Sequence, residues 1–135
     1  MAKTSGLSWT TLTVADAASS AQDLRSDTTN LQFSTPRAVQ DITGIDKAAF
    51  ERLLLLADFS ITLNGVFDPG ANAAHAVFST IPSTSVTRAV ALTVSGKSLT
   101  ANCILTDYNL TRATGGAFTW SVPGSLSDGA VPTWS

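Results

Sequence analysis

At 135 residues the chain is long enough for one core and one domain, and its net charge of −2 argues against a tight nucleic-acid binder, which would show a basic face. Only 13% of residues are charged while 44% are hydrophobic, which is lean in charge for a free monomer. Two readings fit such a surface: a small, stable, Thr-rich β-domain, or a subunit largely covered by copies of itself.

Met1 to Gly6 reads as a flexible lead. MAKTSGLSW lacks the apolar centre of a secretory signal, and no stretch approaches the 18 apolar residues of a membrane span. Trp9 to Val14 reads as a first strand, with Leu12 and Val14 on one face and Trp9 out of phase with them. Residues 15–29, ADAASSAQDLRSDTT, are small, polar and weakly patterned. They read as a long loop, and a loop of that length in a small domain suggests a contact with a neighbour. Asn30 to Thr35 is expected to be a second strand with Leu31 and Phe33 inward, ended by Pro36.

The next stretch, DITGIDKAAFERLLLLADFSITLNGVFDP, carries helix signals. Asp46 is placed to cap, and Ile45 and Phe50 are spaced as a hydrophobic staple. From Ala48 to Ala57 only Glu51 and Arg52 break the apolar run, so the expected helix is buried over most of its circumference. Ile45, Phe50, Leu53, Leu54 and Leu56 are its expected contacts with a sheet. Phe59 to Phe67 then alternates with the two-residue period of a half-buried strand, closed by Asp68-Pro69-Gly70.

Asn72 is placed to cap a short helix through Phe78. His75, within it, has no acidic or metal-binding companion in sequence and reads as structural. Val86, Val90, Leu92 and Val94 share one face of a further strand, interrupted by Arg88. Ser95-Gly96-Lys97-Ser98 turns the chain; it has the letters of a phosphate loop without the upstream glycine one needs. Ala101 to Arg112 reads as a strand, Gly115-Gly116 as a hairpin turn, and Phe118, Trp120 and Val122 as the inward face of the last strand. Residues 123–135 read as a Gly/Ser/Pro-rich tail whose Trp134 needs a pocket, in this subunit or the next. The lone Cys103 lies in an apolar run and reads as a buried thiol.

No catalytic, cofactor-binding or metal-binding constellation emerges: no Cys/His cluster at ligand spacing, no calcium loop, no nucleophile elbow. Low charge, many strands and no chemistry point to an assembly protein.

The runs DITGIDKAAFERLLLLADFSITLNGVFDP, HAVFSTIPSTSVTRAVALTVSG and LTDYNLTRATGGAFTWSVPGSLSDGAVPTW together resemble the tail tube (major tail) proteins of long-tailed phages, especially those of actinobacterial hosts. The resemblance covers about Asp41 to Trp134. It implies a mainly β fold, a β-sandwich or small β-barrel with one helix packed on the sheet, and no enzyme activity. It implies stacked rings of six copies, partnered by tape-measure, terminator and distal tail proteins. The bore would pass DNA without specific binding. Assembly would take place in the bacterial host cytoplasm and the product would be a virion tail, with no membrane contact.

On that reading the bore should be neutral or acidic, since each neutralised phosphate adds affinity. Candidate lining residues are Gln32, Thr62, Asn64, Thr87, Thr93 and Asp107. Candidate inter-subunit residues are Trp9, Asp23, Leu24 and Arg25 in and before the long loop, and Val131 and Trp134 in the tail. The rival readings are a single-ring tail terminator or head–tail adaptor, and a β-sandwich receptor- or carbohydrate-binding module. Scattered tryptophans argue against the last.

Overall fold

Alternating apolar residues in the longer strands create one inward face, and burying that face shapes the molecule. The computed structural model describes Lys3, residues 5–7 and residues 9–135; Met1, Ala2 and Thr4 of the expected lead lie outside the described residues. In chain order the elements are β1 (Trp9–Ala15), β2 (Ala21–Asp23), β3 (Thr28–Ser34), β4 (Arg37–Asp41), β5 (Arg52–Ala57) and β6 (Ser60–Val66). A short helix α1 (Ala74–Phe78) follows, then β7 (Arg88–Val94), β8 (Lys97–Leu105), β9 (Asn109–Arg112) and β10 (Phe118–Leu126).

The main sheet runs β2-β1-β7-β8-β10-β6-β3, with β9 added on β10, and every pairing is antiparallel. Its two halves meet at a corner. There Gly124–Leu126 of β10 pair with Leu105–Cys103 of β8. Gly124 leaves room for Leu105 and Ile61, whose side chains would stand 2.9 and 3.1 Å from a Cβ at that position. The sheet thereby folds over itself. Leu12, Val14, Val90, Leu92 and Leu99 from one half meet Phe59, Ile61, Leu63, Trp120 and Val122 from the other in one core. This is the expected mainly β sandwich or small barrel with one helix against it.

The helix lies elsewhere than expected. Residues 46–57 do not form one: β4 and β5 pair as a separate two-stranded hairpin, with Val39 opposite Leu54, Gln40 opposite Leu53 and Asp41 opposite Arg52. Asp46 caps nothing, and Ile45, Phe50, Leu53, Leu54 and Leu56 are exposed where a helix–sheet core was expected. The segment Asp41–Thr43 explains the difference. The Asp41 carboxylate accepts from the Thr43 N–H and hydroxyl at 2.9 and 2.6 Å, and the Thr43 hydroxyl oxygen accepts from the Glu51 N–H at 2.8 Å. Together with Ile42 N–H donating to the Glu51 carbonyl, these bonds turn the chain back before a helix can start.

The packed helix is α1, whose Ala74, Val77 and Phe78 are buried. Asn72 is not its cap, but stands in the left-handed region with φ of 59°. The capping oxygen comes from far away in sequence: the Asp27 carboxylate accepts from the Ala74 N–H at 3.0 Å. Two further boundaries move. The expected loop 15–29 contains β2 and the start of β3, and the expected tail begins inside β10. The strand expected over Ala101–Arg112 is divided between β8 and β9.

Two turns follow their glycines. Ser95 and Gly96 both have positive φ, 51° and 79°, as the tight β7–β8 hairpin requires, and Gly116, at 98°, sits in the β9–β10 turn.

Candidate functional site: an apolar hairpin and an uncharged sheet face

Two surfaces stand out. The first is the β4–β5 hairpin. It leaves the main sheet through Thr35-Pro36 on one side and Asp58-Phe59 on the other, joined by an Asp58 N–H bond to the Pro36 carbonyl at 2.9 Å. Arg37 grips its base, donating from Nε and Nη2 to the Leu55 carbonyl at 3.1 and 2.7 Å. Along it, Val39, Ile42, Ile45, Phe50, Leu53, Leu54, Leu55 and Leu56 are exposed, Phe50 by 70% and Leu56 by 85%. At about 180 Å² for a fully exposed large side chain, this is roughly 900 Å² of apolar surface. Typical monomers expose contiguous patches of only about 300–600 Å².

The second is the outer face of β3, β6, β10 and β9. Inward-pointing Leu31, Leu63, Gly65, Trp120 and Val122 force their alternates outward. In register, Asn30 pairs with Asn64, Asn64 with Ser121, and Ser121 with Asn109, so one row of amides and a hydroxyl crosses four strands. Gln32 and Thr62 pair in the next row. The single charged residue in these strands is Arg112, and its partner Phe118 shares the opposite face with Trp120. The outward face therefore carries no charge.

Gln32, Thr62 and Asn64 of the expected lining set thus come together. Thr87, Thr93 and Asp107 do not join them: Thr93 lies on β7, its hydroxyl 2.9 Å from Ser98 Oγ, while Thr87 and Asp107 sit outside the strands. Of the expected inter-subunit residues, Leu24 is fully buried in this subunit's own core, a correction that follows from its N–H bond to the Leu12 carbonyl at 3.0 Å. Asp23 and Arg25 are engaged with each other at 2.9 Å. Trp9 packs half-buried against the core. Val131 is exposed. Trp134 finds its pocket within the subunit: it bridges to Leu99 and lays its ring 5.9 Å from that of Phe33, leaving half its surface open.

Other polar groups inside the fold serve its own architecture. Buried Arg88 donates to the Val77 carbonyl at 2.6 Å and to Thr80 Oγ1 at 2.8 Å, tying β7 to α1 and the turn after it. Burial lowers its pKa, and Asp16 partly offsets this. Asp27, 6% exposed, shares a hydrogen bond with Asp68. Burial raises the Asp27 pKa, while the Gly70 N–H and the bond to Asp27 lower that of Asp68. His75 Nδ1 lies 3.1 Å from the Tyr108 hydroxyl, inside an aromatic ladder running from Phe67 to Trp120. The Cys103 thiol is buried and pushed up to about 11, chiefly by desolvation. A groove of about 580 Å³ lies between β1 and β3, lined by Trp9, Leu12, Arg25, Leu31 and Phe33 among others. Among the described residues no group of three or more His, Cys, Asp or Glu is placed to hold a metal ion. Among them, too, no helix is long and apolar enough to cross a membrane.

No protein-family model matches the chain, and no curated protein matches it. Solved structures do. A chain of the virion of a native gene transfer agent particle superposes with a TM-score of 0.74 at 12% identity, covering 98% of this chain and 99% of that one. A chain from the tail of an empty gene transfer agent particle, determined with C6 symmetry, superposes with a TM-score of 0.72 at 14% identity and the same coverage. The chain is similar to both over nearly its whole length, and it has their fold.

Proposed function

We propose that this protein is a structural subunit of a phage-type tail, assembling with copies of itself into stacked rings that enclose a passage for DNA. The exposed apolar hairpin carries the reading: roughly 900 Å² of apolar surface, spread over its two faces, stands without a cover in this subunit and calls for a protein partner. The likeness to a chain of a C6-symmetric tail supports rings of six.

The free edges of the uncharged face support ring closure. Among the described residues β3 pairs only with β6 and β9 only with β10, so the four-strand patch ends in two edges unpaired within them. Pairing the β9 edge of one copy with the β3 edge of the next continues the sheet and covers edges that otherwise invite disordered aggregation. Such head-to-tail contacts close into a ring, and stacking gives open-ended growth.

The outward face of that patch is then the bore. Its amides and hydroxyls offer DNA hydrogen-bonding groups that water replaces readily, and no cation to neutralise a phosphate. No chemistry is required of the subunit, and tape-measure, terminator and distal tail proteins would be its partners in the particle.

Negative-stain electron microscopy of the concentrated, aged protein tests this. The expected result is hollow tubes or stacked rings. Isolated rings that never stack would favour a terminator or adaptor, and a protein that stays single at every concentration would count against self-assembly.

A further inference from the structure

The groove between β1 and β3 has an edge strand, β3, for one rim. Leu12, Leu31 and Phe33 make its lining apolar, and Thr28 joins them where β3 starts. Thr28 Oγ1 is buried and has no hydrogen-bond partner among the described residues. A hydroxyl in that state calls for a partner from outside the subunit. Arg25, also in the lining, is neutralised by Asp23 through bonds at 2.9 and 3.1 Å, so the groove does not repel a second cation.

The inward side of β9 is as incomplete as the groove. Leu110 pairs with Trp120 and Arg112 with Phe118, so both project to the core side of the sheet. Leu110 and Phe118 nevertheless remain 37% exposed, because β9 is an edge. Arg112 forms no ion pair or side-chain hydrogen bond among the described residues.

β3, β6, β10 and β9 alternate in direction, so β9 of one copy meets β3 of the next antiparallel. Opposite residues then share a side, and the inward side of β9 comes to lie over the groove. Chemistry selects the register. With Leu110 opposite Leu31, Arg112 stands opposite Thr29, the extra residue of the irregularity between Thr28 and Asn30. Its inward neighbour there is Thr28. On the outer face Asn109 meets Gln32 and Thr111 meets Asn30. A slip of two residues sets either Arg112 against Leu31 or Leu110 against the polar start of β3. A slip of one turns Leu110 out onto the polar face.

We propose that the groove is the socket for β9 of the neighbouring copy, with Leu110 seated on Leu31 and Arg112 donating to Thr28 Oγ1. This rests on the ring reading above and deepens it, naming the residues and the register of the junction. A second copy is the occupant because the groove's rim is the edge that such a copy pairs.

The test is a disulfide scan of the assembled, full-length protein. Leu31→Cys with Leu110→Cys, oxidised with diamide, should give a covalent ladder on a non-reducing gel that ends at about six chains. Gln32→Cys with Leu110→Cys sets the thiols on opposite faces and should give none. Cys103 is buried and stays out of the reaction. Leu110→Thr decides the case in which the first cysteine pair does not assemble. It should melt within a few degrees of wild type and need about tenfold more protein to assemble.

Assembly of Leu110→Thr at wild-type concentration would overturn the socket and leave the ring reading standing. So would an assembled Leu31/Leu110 cysteine variant that gives no ladder, or a ladder from Phe33→Cys with Leu110→Cys in its place. A wild type that never self-associates would sink both readings.

Discussion

Replacing Gly65 by alanine is expected to destabilise the subunit by about 3 kcal/mol, the upper range for forcing atoms into a packed site. A Cβ at this position would press on the Asp27 carbonyl oxygen and on the Trp120 ring, whose Cε2 would lie 2.7 Å away. Neither can yield. The Asp27 carbonyl accepts from the Val66 N–H at 2.9 Å, and Trp120 is held by its Nε1–H bond to the Val66 carbonyl at 2.9 Å and by the core around it. Such a loss is a large share of the roughly 5–15 kcal/mol that holds a domain of this kind together. Urea unfolding checks it: the midpoint should fall with little change in slope. An unchanged midpoint would mean that the backbone there is looser than the packing implies. The consequence reaches the outer face, because Gly65 pairs with both Thr28 and Trp120, beside the row from Asn30 through Asn64 to Ser121.

A lysine at position 62 is expected to leave folding almost untouched and to impair DNA passage. Thr62 is exposed at the middle of the uncharged face, between Gln32 and Pro123. Surface changes of this sort usually alter stability by no more than about 0.5 kcal/mol. On the proposed reading, Thr62→Lys sets one cation per subunit around the bore. Each phosphate neutralised adds roughly 0.9 to the salt dependence of log affinity, so transit should slow most at low salt and recover as salt rises. Thr62→Glu adds a charge of the opposite sign and should pass DNA freely. Delivery by particles carrying either variant, measured at low and moderate salt, separates the cases. Equal delivery by both variants at every salt concentration would place this face away from the DNA.

The sequence speaks most clearly where burial happens inside the chain. Ile61 and Leu63 alternate with Thr62 and Asn64 because one side of β6 meets the core and the other meets water, and the two-residue period follows directly. Trp120 and Val122 reveal β10 in the same way, and Gly96 and Gly116 mark turns whose positive φ suits glycine. Residues 52–57 mislead for a physical reason. Four consecutive leucines favour a helix by propensity and show no alternation. Their burial, on the reading proposed here, takes place against other copies, and a pattern rule assumes that the cover lies within the same chain. Asp41-Ile42-Thr43 is the overlooked signal, since an Asx-type turn there reverses the chain.

Side-chain parity is legible for the outer face, but neighbourhood is not. Periodicity places Gln32, Thr62 and Thr93 on polar sides of their strands. Only the strand order brings the first two together and sends Thr93 to the other half of the sheet. The cap of α1 shows the same limit: Asp27 lies 47 residues from Ala74, beyond the reach of any local motif.

The most direct test of the central claim is a cryo-electron microscopy reconstruction of the assembled protein at side-chain resolution. The account predicts a bore walled by β3, β6, β10 and β9, with Gln32, Thr62, Asn64 and Ser121 facing the axis and the β4–β5 hairpin buried between copies. An assembly that turns this face outward, or leaves the hairpin in solvent, would contradict it.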